Sequence, residues 1–228
     1  MSASGFLRRA RPLLGTLVEI GVRDGSAAEA GFDAIVQVQA RLSRFEPASD
    51  IGRFHALPAG EHVAIGADTA VVLAAARELQ QASGGLFDVS LGTAPDGWGC
   101  DGHALHKRSG AVRLDLGGIA KGHAVDRAVD ALRAQGCRAG WVNAGGDLRV
   151  FGDIDLPLML RDENGGGVRS FGSLGDAAFA TSRFGDRRHV SVAAPRCLWA
   201  DALTKIVAIS GDPRHPLLAP YGARAWLH

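Results

Sequence analysis

The stretch LDLGGIAKGHAVDRAVDALRAQG, residues 114–136, carries the clearest chemical signal in this 228-residue chain. Its pattern predicts a strand ending at Asp115-Leu116, a turn through Gly117-Gly118 and a helix beginning near Ile119. Backbone N–H groups at such a start can hold an anion, and Lys121 in the first turn adds a full positive charge. The spacing is neither G-x-x-x-x-G-K-[ST] nor G-x-G-x-x-G, so neither standard nucleotide loop is written here. A tight strand-to-helix turn with a solvated lysine explains the same residues. Lysine is scarce, however: of 25 basic residues only Lys107, Lys121 and Lys205 are lysines. A compact ammonium is not equivalent to a planar guanidinium fork, which makes these three candidates for places where arginine would not serve.

Other segments hold further candidates. VNAGGDLRVFG (142–152) sets Asn143 and Asp147 on either side of two glycines, where a flat ligand or another backbone could approach. A strand–turn–strand corner with an Asx turn accounts for those residues equally. In ADALTKIVAI (200–209), helical spacing brings Asp201 and Lys205 onto one face. Asp201 could accept helix amides, hold a cation or take a hydroxyl proton, and the plainer reading is an i,i+4 ion pair. GGLFDVSLG (84–92) pairs Phe87 with Asp88, able either to hold a purine or merely to anchor its loop. CDGHALHK (100–107) contains ligand residue types at no recognisable metal spacing and reads as loop.

These side chains need a frame. Alternation predicts a strand over 15–22. Ser26 and Glu29 form a capping-box pattern for a helix over 26–44. Residues 44–54 read as a turn, 68–82 as a helix opened by Asp68, and 93–110 as a glycine-rich loop. A short strand over 112–116 leads into a helix over 119–135. Two strands then meet at Ala144-Gly145-Gly146, short strands fill 155–193, and a helix over 200–210 ends at Gly211 before a terminal strand near 224–227. The fold class expected is α+β, with antiparallel or mixed sheets and packed helices. A single unit of two lobes spans 1–228.

Composition narrows the function. With 25 basic and 24 acidic residues the net charge is +1, giving no general reason to expect nucleic acid or a membrane surface. The cysteines, at 100, 137 and 197, form no C-x-x-C pair and no disulfide framework. Two arginines precede an apolar run near the N-terminus, but Glu19 breaks that run and it reads better as a strand than as an export signal. No lipoprotein cysteine or membrane anchor is expected, and the cytoplasm is the expected location.

Taken in order, LLGTLVEI (13–20), RFEPASDIGRF (44–54), GGLFDVSLG (84–92), DLGGIAKGHAVD (115–126), VNAGGDLRVFG (142–152), ATS (180–182) and ADALTK (200–205) resemble the ApbE family of FAD:protein FMN transferases. The resemblance implies transfer of FMN from FAD to a threonine or serine of a target protein, with release of AMP and magnesium at the pyrophosphate. It places Leu14, Phe45, Leu86, Phe87, Asp88, Asp115, Lys121 and Thr204 against FAD. Gly118, through its carbonyl, and Asp201 fall at the metal. Lys121 would neutralise the pyrophosphate, and Asp201 or His189 would act as base. FAD and a flavin-acceptor protein are the implied partners.

Two departures stand out. Four residues after Asp201 the family pattern has a metal-binding threonine; this chain has Lys205, with Thr204 one residue early. A protonated lysine cannot ligate magnesium, so its ammonium is expected in or near the cation position, weakening or replacing the metal. The family's H-I-I-D-P-x-T-G stretch is also absent before the last helix, where RRHVSVAAPRCLWADALTK keeps only His189. Non-catalytic FAD binding and FAD pyrophosphatase activity are the alternatives these departures raise.

Overall fold

The computed structural model describes residues 5–161, 166–184 and 188–228. The elements run β1 (Leu7–Leu13), β2 (Thr16–Val22), α1 (Ala28–Leu42), α2 (Asp50–Ala56), β3 (His62–Ala64), α3 (Ala67–Ala82), β4 (Trp98–Cys100) and β5 (Ala104–Lys107). There follow α4 (Ala120–Ala134), β6 (Gly140–Ala144), β7 (Asp147–Phe151), β8 (Leu156–Arg161), β9 (Val168–Leu174), β10 (Ala178–Phe184), β11 (Arg188–Ala194), α5 (Cys197–Ser210) and β12 (Arg224–Leu227). Seven strands form an antiparallel sheet in the order β1-β2-β6-β7-β10-β11-β12.

Period-two alternation gives this sheet two different faces. Val18, Ile20, Val142, Phe151, Ala180, Val190 and Val192 point toward α1, α4 and α5 and share one core with them. The other face carries Trp141, Leu148, Val150, Phe179 and Trp226, covered by the β8–β9 hairpin. A second lobe of α2, α3 and the β3-β5-β4 sheet adds Phe54, Leu79, Trp98 and Leu105 to the first core. Where α4 crosses α5, a Cβ on Gly122 would lie 2.2 Å from the Cys197 carbonyl oxygen, so only glycine permits this approach. That crossing brings Lys121 and Asp201 together.

Several expected elements are corrected. No capping box forms at α1, because the Ser26 amide and hydroxyl bond Asp24 while Glu29 reaches Arg11. Residues 50–56 are helical rather than turn, capped by Ser49 Oγ accepting the Gly52 amide at 2.8 Å. The opening of α3 is held by Asp50, which accepts the Gly66 amide and the Thr69 hydroxyl; Asp68 instead faces His123 and Arg127. Residues 93–110 contain β4 and β5. Residues 112–116 alternate in burial as expected yet join no ladder. Their alternation comes from Val112, Leu114 and Leu116 entering the core. The expected turn residues at 162–165 lie outside the described residues, as do 185–187.

Candidate active site

The start of α4 is chemically less open than its sequence implies. Ile119 and Ala120 donate their amides to the Leu116 carbonyl at 3.0 and 2.8 Å, and the Gly117 amide turns back onto Asp115 Oδ1 at 2.8 Å. The Gly122 amide donates across the helix crossing to Asp201 Oδ2 at 3.2 Å. Of the two readings the sequence left open, these bonds favour the tight turn: a turn, an Asx turn and a facing carboxylate engage the Gly117, Ile119, Ala120 and Gly122 amides. What the turn presents is the Lys121 side chain, whose ammonium meets Asp147 Oδ2 at 2.5 Å.

Asp147 begins β7 and shares its helix-facing side with Arg149 and Phe151. Asn143 lies one position off that face, opposite Leu148 in the ladder, and its Oδ1 accepts the Gly146 amide at 3.0 Å. The glycine corner thus divides the two polar residues between the faces; Asn143 holds the turn and Asp147 enters the site. Burial and the charge of Asp201 push the Asp147 carboxyl up to about 7, against the opposing influence of Lys121. Burial also opposes the charge on Lys121, but Asp147 and Asp201 outweigh it and raise the lysine above its ordinary value. Lys121 therefore stays an ammonium at neutral pH.

From α5, Asp201 reaches the same cluster almost fully buried. The Lys205 ammonium donates to Asp201 Oδ1 at 3.1 Å, to Ser182 Oγ at 3.1 Å and to Thr204 Oγ1 at 2.9 Å. The Thr204 hydroxyl itself donates to the Asp201 carbonyl at 2.6 Å. Two ammonium groups and two carboxylates from α4, β7 and α5 so form one connected set. The first turn of α5 is anchored by Asp126, whose carboxylate accepts the amides of Cys197 and Leu198, both at 3.0 Å. Arg149 and Arg196 pair with the same buried group.

The other expected residues distribute unevenly. Phe45 is 76% exposed beneath the Arg44 guanidinium, and Arg44 also reaches Asp115 at 3.1 Å. Leu14, at the β1–β2 tip with φ of 55°, is held by Gln39 through its amide. Leu86 packs partly buried against the core. Phe87 is a core residue with no face offered to a purine, and Asp88 accepts from Ser90 and the Gly92 amide, organising its own loop. The anchoring alternative is the one the geometry follows. His189 is the clearest misplacement: β11 alternation sets it with Ser191 and Ala193 on the face away from α5.

CDGHALHK forms the β4–β5 hairpin, with Asp101 accepting the His103 and Ala104 amides and pairing with His106. Among the described residues no group of three or more His, Cys, Asp or Glu side chains is arranged to hold a metal. Lys107 is structural, donating to the Phe54 and His55 carbonyls. A groove lined by Pro213, His215, Leu218 and Trp226, among others, shares no residue with the charged cluster. Sequence reasoning missed Asp126 and Ser182, whose partners lie far away in the chain, and no local spacing could have found them.

An antiparallel sheet with three helices on one face, and a two-lysine, two-aspartate cluster where two of those helices cross, defines an α+β scaffold with a built polar site. Residues 14–189 match the model of the ApbE family, and the chain belongs to that family. It is 25% identical over 177 residues to an FAD:protein FMN transferase of Vibrio cholerae serotype O1, covering 62% of this chain and 53% of that relative. A second FAD:protein FMN transferase, from Rhodobacter capsulatus, is 30% identical over 128 residues, which is 43% of this chain and 24% of the relative. The chain thus matches about half the length, or less, of these curated relatives. In fold it resembles the flavin transferase ApbE of Vibrio cholerae, with a TM-score of 0.84 at 21% identity over 97% of this chain and 93% of that one. The ApbE protein of Thermotoga maritima gives a TM-score of 0.85 at 22% identity, over 97% and 94%. No helix among the described residues is long and apolar enough to cross a membrane.

Proposed function

We propose that this chain transfers the FMN half of FAD to a serine or threonine hydroxyl of an acceptor protein and releases AMP. The observation that carries the reading is the junction of Lys121 and Asp201 where α4 crosses α5, tied by the Gly122 amide on Asp201. Both residues stand at positions that the family resemblance assigns to the diphosphate end of FAD, and the named relatives support the same chemistry.

In this reaction the acceptor hydroxyl oxygen forms a bond to the phosphorus on the riboflavin side. The bond from that phosphorus to the bridging oxygen breaks, AMP leaves with the bridging oxygen, and the hydroxyl proton passes to a base and then to water. Lys121, kept cationic by Asp147 and Asp201, neutralises the diphosphate and the charge growing on the leaving phosphate. Asp201 is the base we assign, since it lies in the cluster and His189 lies on the far face of the sheet. The exposed Phe45 ring, with Arg44 and Asp115, offers a surface for a flat ring system at the lobe edge.

The family resemblance implies magnesium against Gly118 and Asp201. The donors present do not fit it: Asp201 Oδ1 already faces the Lys205 ammonium, and Lys205 stands where the family's threonine ligand would. No step is assigned to a metal. Free thiols at Cys100, Cys137 and Cys197 support a reducing, cytoplasmic setting.

The test incubates the full chain with FAD and a serine- or threonine-bearing flavin-acceptor protein, followed by denaturing electrophoresis. Covalent flavin fluorescence on the acceptor together with AMP release is expected. Lys121→Met should lower the rate by roughly 10²–10³-fold, the usual cost of one electrostatic stabiliser. AMP and FMN released with water alone, or FAD bound with no AMP at all, would refute transfer.

A further inference from the structure

We propose that the Lys205 ammonium is a built-in counter-cation that takes the place of a divalent ion beside Asp201, so that this chain handles its nucleotide without metal. The inference rests on the proposed FAD reading and specifies how its charge is met.

Three independent features set this lysine apart from an ordinary i,i+4 ion pair. All three ammonium protons have oxygen partners: the Asp201 carboxylate, the Ser182 hydroxyl from β10 and the Thr204 hydroxyl, at 2.9 to 3.1 Å. Such a shell of oxygens around a point charge is what a small cation would ask for, and a lysine head satisfies it with donors where a metal would use lone pairs. Second, the lysine stem is packed rather than solvated. A Cβ on Gly118 would lie 3.2 Å from Lys205 Cε and 3.4 Å from Cγ, so the stem runs across the very residue whose carbonyl the family resemblance gives to the metal.

Third, the remaining acids of the region are committed elsewhere. Asp126 holds the first two amides of α5, Asp115 holds the Gly117 amide and Arg44, and Asp147 holds Lys121. A magnesium ion needs several oxygens in near-octahedral array, with no ammonium among them. With the Lys205 head on Oδ1 and the Gly122 amide on Oδ2, both oxygens of Asp201 already have N–H donors. The Lys205 side chain remains 22% exposed, so it is not sealed inside the core, and its positive charge acts on a nearby diphosphate through space.

The experiment compares the full-length wild type with Lys205→Thr and Lys205→Met. FAD binding is followed by flavin fluorescence in EDTA and in excess magnesium. Manganese binding to the protein, without FAD, is followed by the electron paramagnetic resonance of the free ion. In the wild type, FAD affinity should differ less than about twofold between EDTA and magnesium, and no stoichiometric manganese should bind. Lys205→Thr should lose roughly tenfold or more in FAD affinity in EDTA, the cost of one charge-assisted contact, and should recover it with magnesium while binding one manganese per chain. Lys205→Met should lose the affinity and recover nothing, with circular dichroism showing all three proteins folded.

Stoichiometric manganese on the wild type, or FAD binding that depends on magnesium there, overturns the inference alone. So does a folded Lys205→Thr protein that binds no manganese. Failure of the wild type to bind FAD in either buffer overturns the proposed function and this inference with it.

Discussion

Replacing Asp126 by alanine separates a structural reading of the DLGGIAKGHAVD motif from a catalytic one. The Asp126 carboxylate is fully buried and receives the Cys197 and Leu198 amides, both at 3.0 Å, and the Arg149 and Arg196 guanidiniums. Alanine leaves the first two amides of α5 without a partner and Arg149, only 11% exposed, without its counter-charge. Removing one member of a buried ion pair costs about 3–5 kcal/mol, and the lost cap lies within that figure because the same oxygens serve both. For a chain of this size each kcal/mol moves Tm by about 2–4 °C, so a drop of roughly 6–20 °C is expected. Scanning calorimetry measures it, with Arg196→Ala as the control. The Arg196 side chain is 44% exposed, and its loss should cost under about 1 kcal/mol. Below the variant's melting range, FAD affinity should also fall, because α5 carries Asp201. An Asp126→Ala protein melting within about 2 °C of the wild type would refute the clamp and the reasoning built on it.

Three further outcomes are expected. Gly122→Ala would place a methyl 2.2 Å from the Cys197 carbonyl oxygen and 2.9 Å from Asp201 Cβ, forcing α4 and α5 apart. Urea unfolding should show a loss of about 1–3 kcal/mol, and FAD binding should weaken in parallel; unchanged stability would contradict the close crossing. The Asp147 carboxyl, pushed up to about 7 by burial and by Asp201, binds its proton more tightly folded than unfolded, where aspartate titrates near about 3.9. Its contribution is complete below the unfolded value and is lost as pH rises through about 7. Between about pH 5 and pH 8 the wild type should therefore lose more stability than Asp147→Asn, and parallel urea midpoints would sink the assignment. Deprotonation also removes a net positive charge from the cluster, so FAD affinity should weaken over the same interval in the wild type and flatten in the variant. Finally, Phe45→Ala should leave stability within about 0.5 kcal/mol while weakening FAD binding, whereas Phe87→Ala should cost about 3–5 kcal/mol as a buried core residue. The opposite pattern would exchange their roles.

The parts of the fold that follow local rules were legible. The α4 helix follows its glycine turn, β6 and β7 meet at Gly145-Gly146, α5 ends at Gly211, and β2 shows its alternation. The edge strand β1 was hidden because LRRARPL is exposed along nearly its whole length and carries no alternating signal. Pro47 and the polar run before Asp50 masked α2, and glycines at 99 and 102 masked the β4–β5 hairpin. Within the site, Lys121, Asp201 and Lys205 could be found from helix position and residue type. Their engagement could not. Whether an amide at a helix start is free depends on Leu116 and on Asp201, which is 79 residues away from Gly122. Likewise, His189 has a suitable chemistry, but the sheet face it occupies is set by register with β10, which one strand alone does not reveal.

A single carboxylate that fastens α4 to α5, and through Arg149 to β7, acts as a joint common to three walls. None of those walls can slide while the joint holds. On the proposed reading, FAD would meet three elements already fixed to one another, and little ordering entropy would be subtracted from its affinity. Denaturation then frees the three elements together, so FAD affinity and helical circular dichroism should vanish over the same few degrees.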